Sequence, residues 1–384
     1  MKNRKLPEGW KVDRLGKVFL LIRNGANIKQ GKQQGGYPIT RIETIANSRI
    51  DINKVGYAGI YELGKYSDYL LEEGDILMSH INSEKHLGKT AIYENCELNM
   101  IHGMNLLCLR SNKKFILPKY VYYYFNSVKF KMQLPKIIKK SVNQASFSIN
   151  DLKYLKVIIP PLETQNEIVQ ALEKAEDALK KKREAIRLLD ELVKSRFIEM
   201  FGNPAFNPMS WKVVELSSLL REKASNGFFA KNDKYKADGN AKVMWIGDII
   251  NRRYSNTKGL KKVDVTDIQL NKYRIKYGDL LFCRSSLNKD GIGKASVVPR
   301  DVENNIIFEC HVIRIPLDLS KCIPEFIQVQ STIDYFRNQI MSKSKTATMT
   351  TIGQDGIITT KVILPELNLQ NQFADFVKHV DKLK

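Results

Sequence analysis

The chain repeats itself once. Trp10-Lys11-Val12 returns as Trp211-Lys212-Val213, 201 residues later. Gly74-Asp75-Ile76-Leu77 returns as Gly278-Asp279-Leu280-Leu281, and Gly88-Lys89-Thr90-Ala91 as Gly293-Lys294-Ala295-Ser296. Lys156-Val157-Ile158-Ile159-Pro160, followed by Gln165-Asn166, returns as Lys361-Val362-Ile363-Leu364-Pro365, followed by Gln370-Asn371. The order is kept while the offset drifts slowly, as in two copies separated by small loop insertions. Solenoid units run ~20–50 residues, so a period this long specifies two tandem domains.

The length of 384 residues agrees, at ~100–200 residues per domain. With 43% hydrophobic residues there is apolar material for two cores, and no run reaches the ~18 apolar residues of a membrane span. The basic start, Met1-Lys2-Asn3-Arg4-Lys5, has no apolar stretch behind it; the expectation is a cytoplasmic protein without a signal peptide. Cys96, Cys108, Cys283, Cys310 and Cys322 form no C-x-x-C pair, so neither a disulfide framework nor a metal site is expected, and Cys310-His311 reads as buried packing. A net charge of +21 exceeds the ~2–8 that solvates a small domain. The surplus calls for a polyanion, and nucleic acid is favoured because the sequence shows no basic amphipathic helix or lipidation motif for a membrane.

Residues 1–160 read as a mixed α/β domain. Short apolar runs (Val18–Ile22, Tyr37–Ile42, Asp75–Met78, Leu106–Leu109, Val157–Ile159) are punctuated by Gly, Asn and Pro, which is strand-and-turn chemistry. One helix is expected from Pro118 to Gln133. Residues 203–365 repeat the plan, with a matching helix from Pro324 to Met341.

The intervening segment, 161–202, is different. From Glu163 to Met200 it holds neither Gly nor Pro. Ile168, Leu172, Ala175, Leu179, Lys182, Ile186, Leu189 and Val193 follow alternating spacings of four and three, a heptad seam that requires a partner helix. Residues 366–384 carry a shorter version, with Leu369, Phe373, Phe376, Val380 and Leu383. The short helix covers part of the long seam and leaves apolar surface for another protein. Gly202-Asn203-Pro204 is a helix stop. The fold class expected is thus α+β: two similar mixed domains separated by a long coiled-coil helix, with a second, shorter helix at the end.

This layout resembles the specificity (S) subunits of type I restriction-modification systems. Ile159-Pro160-Pro161-Leu162-Glu163-Thr164-Gln165 resembles the family's strand, Pro-Pro-Leu-x-x-Gln, long-helix junction. Phe197-Ile198-Glu199-Met200-Phe201-Gly202-Asn203-Pro204, followed by Trp211, resembles the exit into the second domain. Gly278-Asp279-Leu280-Leu281-Phe282-Cys283-Arg284 with Gly293-Lys294 resembles the recognition-domain hairpin, and Gly74–His80 with Gly88-Lys89 is its weaker copy. Two departures stand out: Leu364-Pro365-Glu366-Leu367 keeps one proline of the pair, and the distal spacer is short.

The resemblance implies two target recognition domains reading double-stranded DNA. It also implies two modification (methyltransferase) subunits and restriction subunits as partners. The assembled complex would be an adenine-N6 methyltransferase and ATP-dependent endonuclease, with S-adenosylmethionine, ATP and Mg on those partners and no cofactor in this chain. The residues agree with a non-catalytic subunit. Asn203-Pro204-Ala205-Phe206 lacks the second proline of a loop that grips a flipped adenine, and the sequence holds no P-loop.

What the residues offer is recognition: cations neutralise phosphates, and side chains reaching base edges give specificity. The first candidate surface is the basic loop Lys136, Lys139, Lys140, Ser141, Asn143 and Gln144, matched in the second copy by Lys343, Lys345, Thr346 and Thr348. A second is Arg41, Asn47 and Arg49, answered by Arg252 and Arg253. The third is Ser79, His80, Asn82 and Lys85, answered by Arg284, Ser285, Ser286, Asn288 and Lys289. Asn and Gln pair with adenine and Arg with guanine. The bland alternative for each is a solvated basic loop.

Ile168 to Val193 at ~1.5 Å per residue spans roughly one turn of duplex, ~34–36 Å. Two domains with different polar loops so spaced would read an asymmetric, bipartite target. The rival readings are a truncated or silent specificity cassette, a detached specificity part of a single-chain restriction-methylation enzyme, and a nucleic-acid chaperone without sequence preference.

Overall fold

The computed structural model describes residues 6–30, 35–94, 98–142, 144–229 and 235–384. It divides into two compact units, residues 1–180 and 181–384. Among the described residues no helix is long and apolar enough to cross a membrane.

The first unit opens with β1 (Lys11–Arg14), a single helical turn α1 (Leu15–Val18) and β2 (Phe19–Asn24). Then come β3 (Ile76–Ser79), β4 (Ile81–Asn82), β5 (Thr90–Ile92) and β6 (Leu106–Ser111). Helices α2 (Pro118–Asn126) and α3 (Val128–Lys131) precede β7 (Lys139–Lys140), β8 (Ala145–Ser146), α4 (Ile149–Tyr154) and β9 (Lys156–Ile159). The long helix α5 (Leu162–Phe201) follows, 40 residues without a break. Gly202 ends it at φ +73°, a conformation that favours glycine.

The sheet order β2-β6-β3-β5 is antiparallel throughout. Both faces are covered, which is why β3 reads as a continuous apolar run. Ile76 and Met78 pack with Leu107, Leu109 and the α2 side chains Tyr120, Val121 and Phe125. Leu77 points the other way, into Ala91, Leu106, Cys108 and Ile45.

The second unit comprises β10 (Lys212–Glu215), β11 (Ser225–Asn226), β12 (Ala241–Met244), α6 (Ile246–Ile249), β13 (Lys261–Val263) and α7 (Asp267–Tyr273). It continues through β14 (Asp279–Cys283), β15 (Ser285–Ser286), β16 (Ala295–Val297), β17 (Ile306–Phe308) and β18 (Val312–Pro316). Last come α8 (Pro324–Gln330), α9 (Asp334–Lys343), β19 (Lys345–Thr346), β20 (Thr350–Thr351), α10 (Gln354–Ile358), β21 (Lys361–Leu364) and α11 (Leu367–Asp381).

The repeat is visible residue by residue. Sheet order β11-β18-β14-β16 mirrors that of the first unit. β1 pairs with β9 from Lys11↔Ile159 to Arg14↔Lys156, and β10 with β21 from Lys212↔Leu364 to Glu215↔Lys361. Gly25 and Gly227 occupy equivalent close approaches: a Cβ would lie 2.0 Å from the Gly103 carbonyl oxygen and 2.1 Å from that of Glu309.

Four local expectations need correction. The helix expected from Pro118 to Gln133 breaks at Ser127, whose backbone is extended and whose hydroxyl accepts from the Phe130 N–H at 3.3 Å. That expected from Pro324 to Met341 breaks between α8 and α9, where Ser331 and Thr332 hydroxyls donate back to Gln328 and Val329 carbonyls. Tyr37–Ile42 is no strand. Pro38 lacks an N–H for a ladder, and pairing is reduced to bridges from Ile39 to Gly56 and Ile101. In the second copy the corresponding segment, β12, does pair, with β13 and β17. His311, expected to be buried with Cys310, is exposed on the turn before β18.

Candidate nucleic-acid interface

The hairpin and the basic loop meet in each copy on a small three-stranded sheet. In the first unit its order is β4-β8-β7. Asn82 lies opposite Ala145 and Lys140 opposite that same residue; Ile81 and Lys139 both lie opposite Ser146. Ser141 closes the hairpin, its N–H and hydroxyl both donating to the Gln144 carbonyl at 2.8 Å. Lys136, Lys139, Lys140, Ser141 and Gln144 are exposed; Asn143 lies outside the described residues. Lys140 sits 2.9 Å from Glu84, and Lys139 3.9 Å from Asp151. Exposed pairs of this kind contribute little and release their cations readily.

The turn that carries Arg41, Asn47 and Arg49 is tied to the hairpin by Lys89, just before β5, whose ammonium donates to the Ala46 carbonyl at 2.9 Å. Arg41, Asn47 and Arg49 are exposed around that turn, and Arg41 donates to Gln30 at 2.6 Å. Lys85 is exposed and Asn82 half-buried. Ser79 and His80 are buried, at 1% and 5% exposure, and burial pushes the His80 imidazole down to about 4.

The second unit repeats the construction as β15-β20-β19. Ser285 and Lys345 both face Thr351; Ser286 and Thr346 both face Thr350. Lys294 takes the place of Lys89, donating to Asn251 Oδ1 at 2.6 Å. Ser48 and Asn251, at φ +57° and +56°, form the same turn in the two copies. Arg252, Asn288, Lys289, Lys345, Thr346 and Thr348 are exposed, and Ser286 is half-buried.

Other candidates in this unit hold the structure together. Lys343 donates to Thr359 at 2.9 Å, and Arg284 donates to the Cys310 carbonyl at 3.2 Å. Ser285 is buried against His311 Nδ1 at 2.6 Å. The Arg253 guanidinium is 10% exposed, paired with Asp381 at 2.6 Å and hydrogen-bonded to Gln328 at 2.9 Å. Glu309, Cys310 and His311 bring three ligand-type atoms within 4.8 Å. Burial raises both the Glu309 carboxyl and the Cys310 thiol.

The seam residues fall into two groups. Along the first part of α5, Ile168 is half-buried against the first unit's core, while Leu172, Ala175, Leu179 and Lys182 are exposed. Farther on, Ile186 is half-buried, Leu189 packs against the second unit's core and Val193 is buried. There α11 meets α5: Phe373 contacts Phe197 and Phe201 edge-on, at 5.5 and 5.6 Å between rings. Phe373 and Val380 are buried, Leu369 and Phe376 half-buried, and Leu383 exposed. Leu188 and Leu192, off the seam, are 51% and 48% exposed. A groove of about 910 Å³ in the first unit is walled by Arg49, Tyr122, Tyr123, Glu173 and Glu176.

Sequence reasoning missed the polar struts. Gln133 makes a two-way bond with Lys156, its amide donating at 3.0 Å and accepting at 3.0 Å, and Gln339 does the same with Lys361. Asp75, buried under the sheet, holds Arg110 at 2.7 Å; its counterpart Asp279 holds Arg221. The repeated Gly-Asp pointed to these carboxylates, but Arg110 comes from β6 and Arg221 from the loop before β11, and they leave no common pattern.

Comparison with known proteins adds an independent line. The profile of the type I restriction modification DNA specificity domain matches residues 7–187. A protein of Methanocaldococcus jannaschii assigned as the specificity subunit of the type I restriction enzyme MjaX is 37% identical over 294 residues, covering 72% of this chain and 69% of its own. The EcoKI specificity subunit of Escherichia coli K12 is 24% identical over 415 residues, covering 100% of this chain and 84% of its own. The crystal structure of a type I restriction-modification S subunit from M. genitalium superposes with a TM-score of 0.52 at 12% identity, covering 99% of this chain and 91% of that one.

Proposed function

Because the chain belongs to the family of type I restriction-modification specificity subunits, we propose that it reads an asymmetric, two-part DNA target and presents that target to catalytic partners. The observation that carries this reading is the duplicated convergence described above. In each copy an arginine-bearing turn, a polar strand and a lysine-bearing hairpin are joined by one small sheet and one lysine strut. Cations there supply affinity through phosphate neutralisation, and amide and hydroxyl groups supply discrimination at base edges. The copies differ at the positions that would read. The first offers Asn82, Lys139 and Lys140, the second Ser286, Lys345 and Thr346. Half-sites read by different side chains differ in sequence.

Chemistry is assigned to partners. The exposed Leu172 and Leu179 form an apolar row suited to helices of modification subunits, of which two are expected, with restriction subunits joining that core. S-adenosylmethionine, ATP and Mg belong to those subunits, and adenine methylation and ATP-dependent cleavage to the assembly.

The test is an exchange. Replacing residues 203–365 with the second recognition domain of a relative, and measuring methylation of defined duplexes by the purified complex, should change one half of the target and leave the other intact. A change in both halves, or in neither, overturns the two-part reading.

A further inference from the structure

One cavity in the first unit lies between two of the candidate segments, the turn that carries Arg41 and the hairpin that carries Ser79 and Asn82. It has a volume of about 230 Å³, and Glu43, Ser79, Asn82, His86 and Lys89 supply its polar lining. Two groups in it are unspent. The Ser79 hydroxyl oxygen is buried with no hydrogen-bond partner, at a residue 1% exposed. A buried hydroxyl left unpaired costs free energy that a ligand can return. The Glu43 carboxylate is exposed and makes no hydrogen bond or ion pair among the described residues.

The second copy has no acid at this place. There Asp248 stands where Thr44 stands in the first copy: Asp248 accepts from the Trp245 N–H at 2.9 Å as the Thr44 hydroxyl accepts from the Arg41 N–H at 2.8 Å. The position of Glu43 falls to Gly247, which carries no carboxylate. A free carboxylate on a face built to meet phosphates is repelled by the DNA backbone. It is favoured there when it accepts from an amino group, and in the major groove those donors are cytosine N4 and adenine N6. His86 suits the same role. Partial burial, with Lys89 and Lys85 nearby, holds its imidazole below the ordinary value, leaving a neutral ring at pH 7 that can both donate and accept.

We propose that this cavity reads the exocyclic amino group of one cytosine or adenine in the half-site of the first copy, with Glu43 as the specificity-determining acceptor and Ser79 and His86 completing the contact. This rests on the reading that this face meets DNA. It also makes base discrimination at that position a property of the first copy alone.

The experiment uses the full chain assembled with its modification subunits and sequences N6-methyladenine motifs in DNA exposed to each complex. Glu43→Gln and Glu43→Ala are compared with the unaltered chain; Glu43 is exposed, and unchanged melting of the variants verifies the fold. One position in one half-site should relax, with discrimination there falling on the order of tenfold to a hundredfold and the other half-site unchanged. An unchanged motif overturns the proposal, as does a uniform loss of methylation at all positions, which would mark a phosphate or packing contact. If the unaltered complex itself yields no two-part motif, the DNA-facing reading falls and the cavity's role with it.

Discussion

Gln165 and Gln370 share two hydrogen bonds in their respective copies, one to the backbone ahead of a proline-initiated helix and one to the proline that follows the last strand. Each is fully buried in the first turn of a helix. The Gln165 carbonyl accepts from the Leu117 N–H at 2.8 Å, and its amide donates to the carbonyls of Pro160 and Phe115 at 2.9 Å. Gln370 accepts from Ile323 at 3.0 Å and donates to Pro365 at 2.7 Å. One side chain therefore clamps three things: the end of the last strand, the start of the outgoing helix, and the residue preceding the Pro-initiated helix (α2 or α8).

Gln165→Leu keeps the volume but strands these backbone groups. Each buried group left unpaired costs about 1–3 kcal/mol. Thermal unfolding of the variant should shift down by several degrees, and Gln370→Leu should act similarly on the second unit. Unchanged melting would show that the clamp is dispensable.

Lys139→Ala with Lys140→Ala should weaken DNA binding to all sequences alike. The slope of log K against log salt should flatten by up to about two units, since each phosphate contact contributes ~0.9. Arg253→Ala serves as the contrast: its guanidinium is tied to Asp381 and Gln328, so its loss should lower stability and leave the salt slope unchanged. The comparison needs only salt titrations and melting curves.

The first unit carries an acid sensitivity in two buried histidines. Burial lowers the imidazoles of His80 and His102 to about 4, from an ordinary value of 6.5. Both rings are neutral in the folded state at pH 7. Protons bind more readily to the unfolded chain, so the stability tied to these rings is complete above pH 6.5 and is lost as pH falls toward 4. At 1.36 kcal/mol per pH unit the loss is up to about 3 kcal/mol for each ring. Hydrogen exchange between pH 7 and 4.5 should show the first unit losing protection before the second, and His102→Gln should narrow the difference. Equal loss in both units would contradict this.

Leu172→Asp with Leu179→Asp tests the exposed part of the seam. Leu172 is 38% and Leu179 56% exposed, so melting should change little while co-purification with modification subunits is lost. Leu189 and Val193 are poor substitutes, because they pack into the second unit's core and would confuse binding with folding.

Much of the architecture was legible in the sequence because it is periodic or repeated. Heptad spacing without Gly or Pro marked the long helix, and duplicated Gly-Asp and Lys-Val-Ile segments marked two similar sheets. Side-chain direction was not legible. Arg252 and Arg253 are adjacent and identical in type, yet one is exposed and the other lies against Asp381, a choice made by a helix more than a hundred residues away. Ser79, His80 and Ser285 sit in polar stretches but turn inward at strand ends. Helix breaks at Ser127 and Ser331 depend on hydroxyls competing for backbone groups, which helical periodicity does not register.

The central claim is that one chain gives a partner methyltransferase a two-part address. The most direct measurement is adenine-methylation sequencing of host DNA expressing this chain with its neighbouring methyltransferase, against the same host lacking this chain. The account predicts a new motif of two dissimilar halves separated by unread bases, methylated only when the chain is present. With both proteins expressed and soluble, the absence of any new motif, or the appearance of a continuous one, would contradict it.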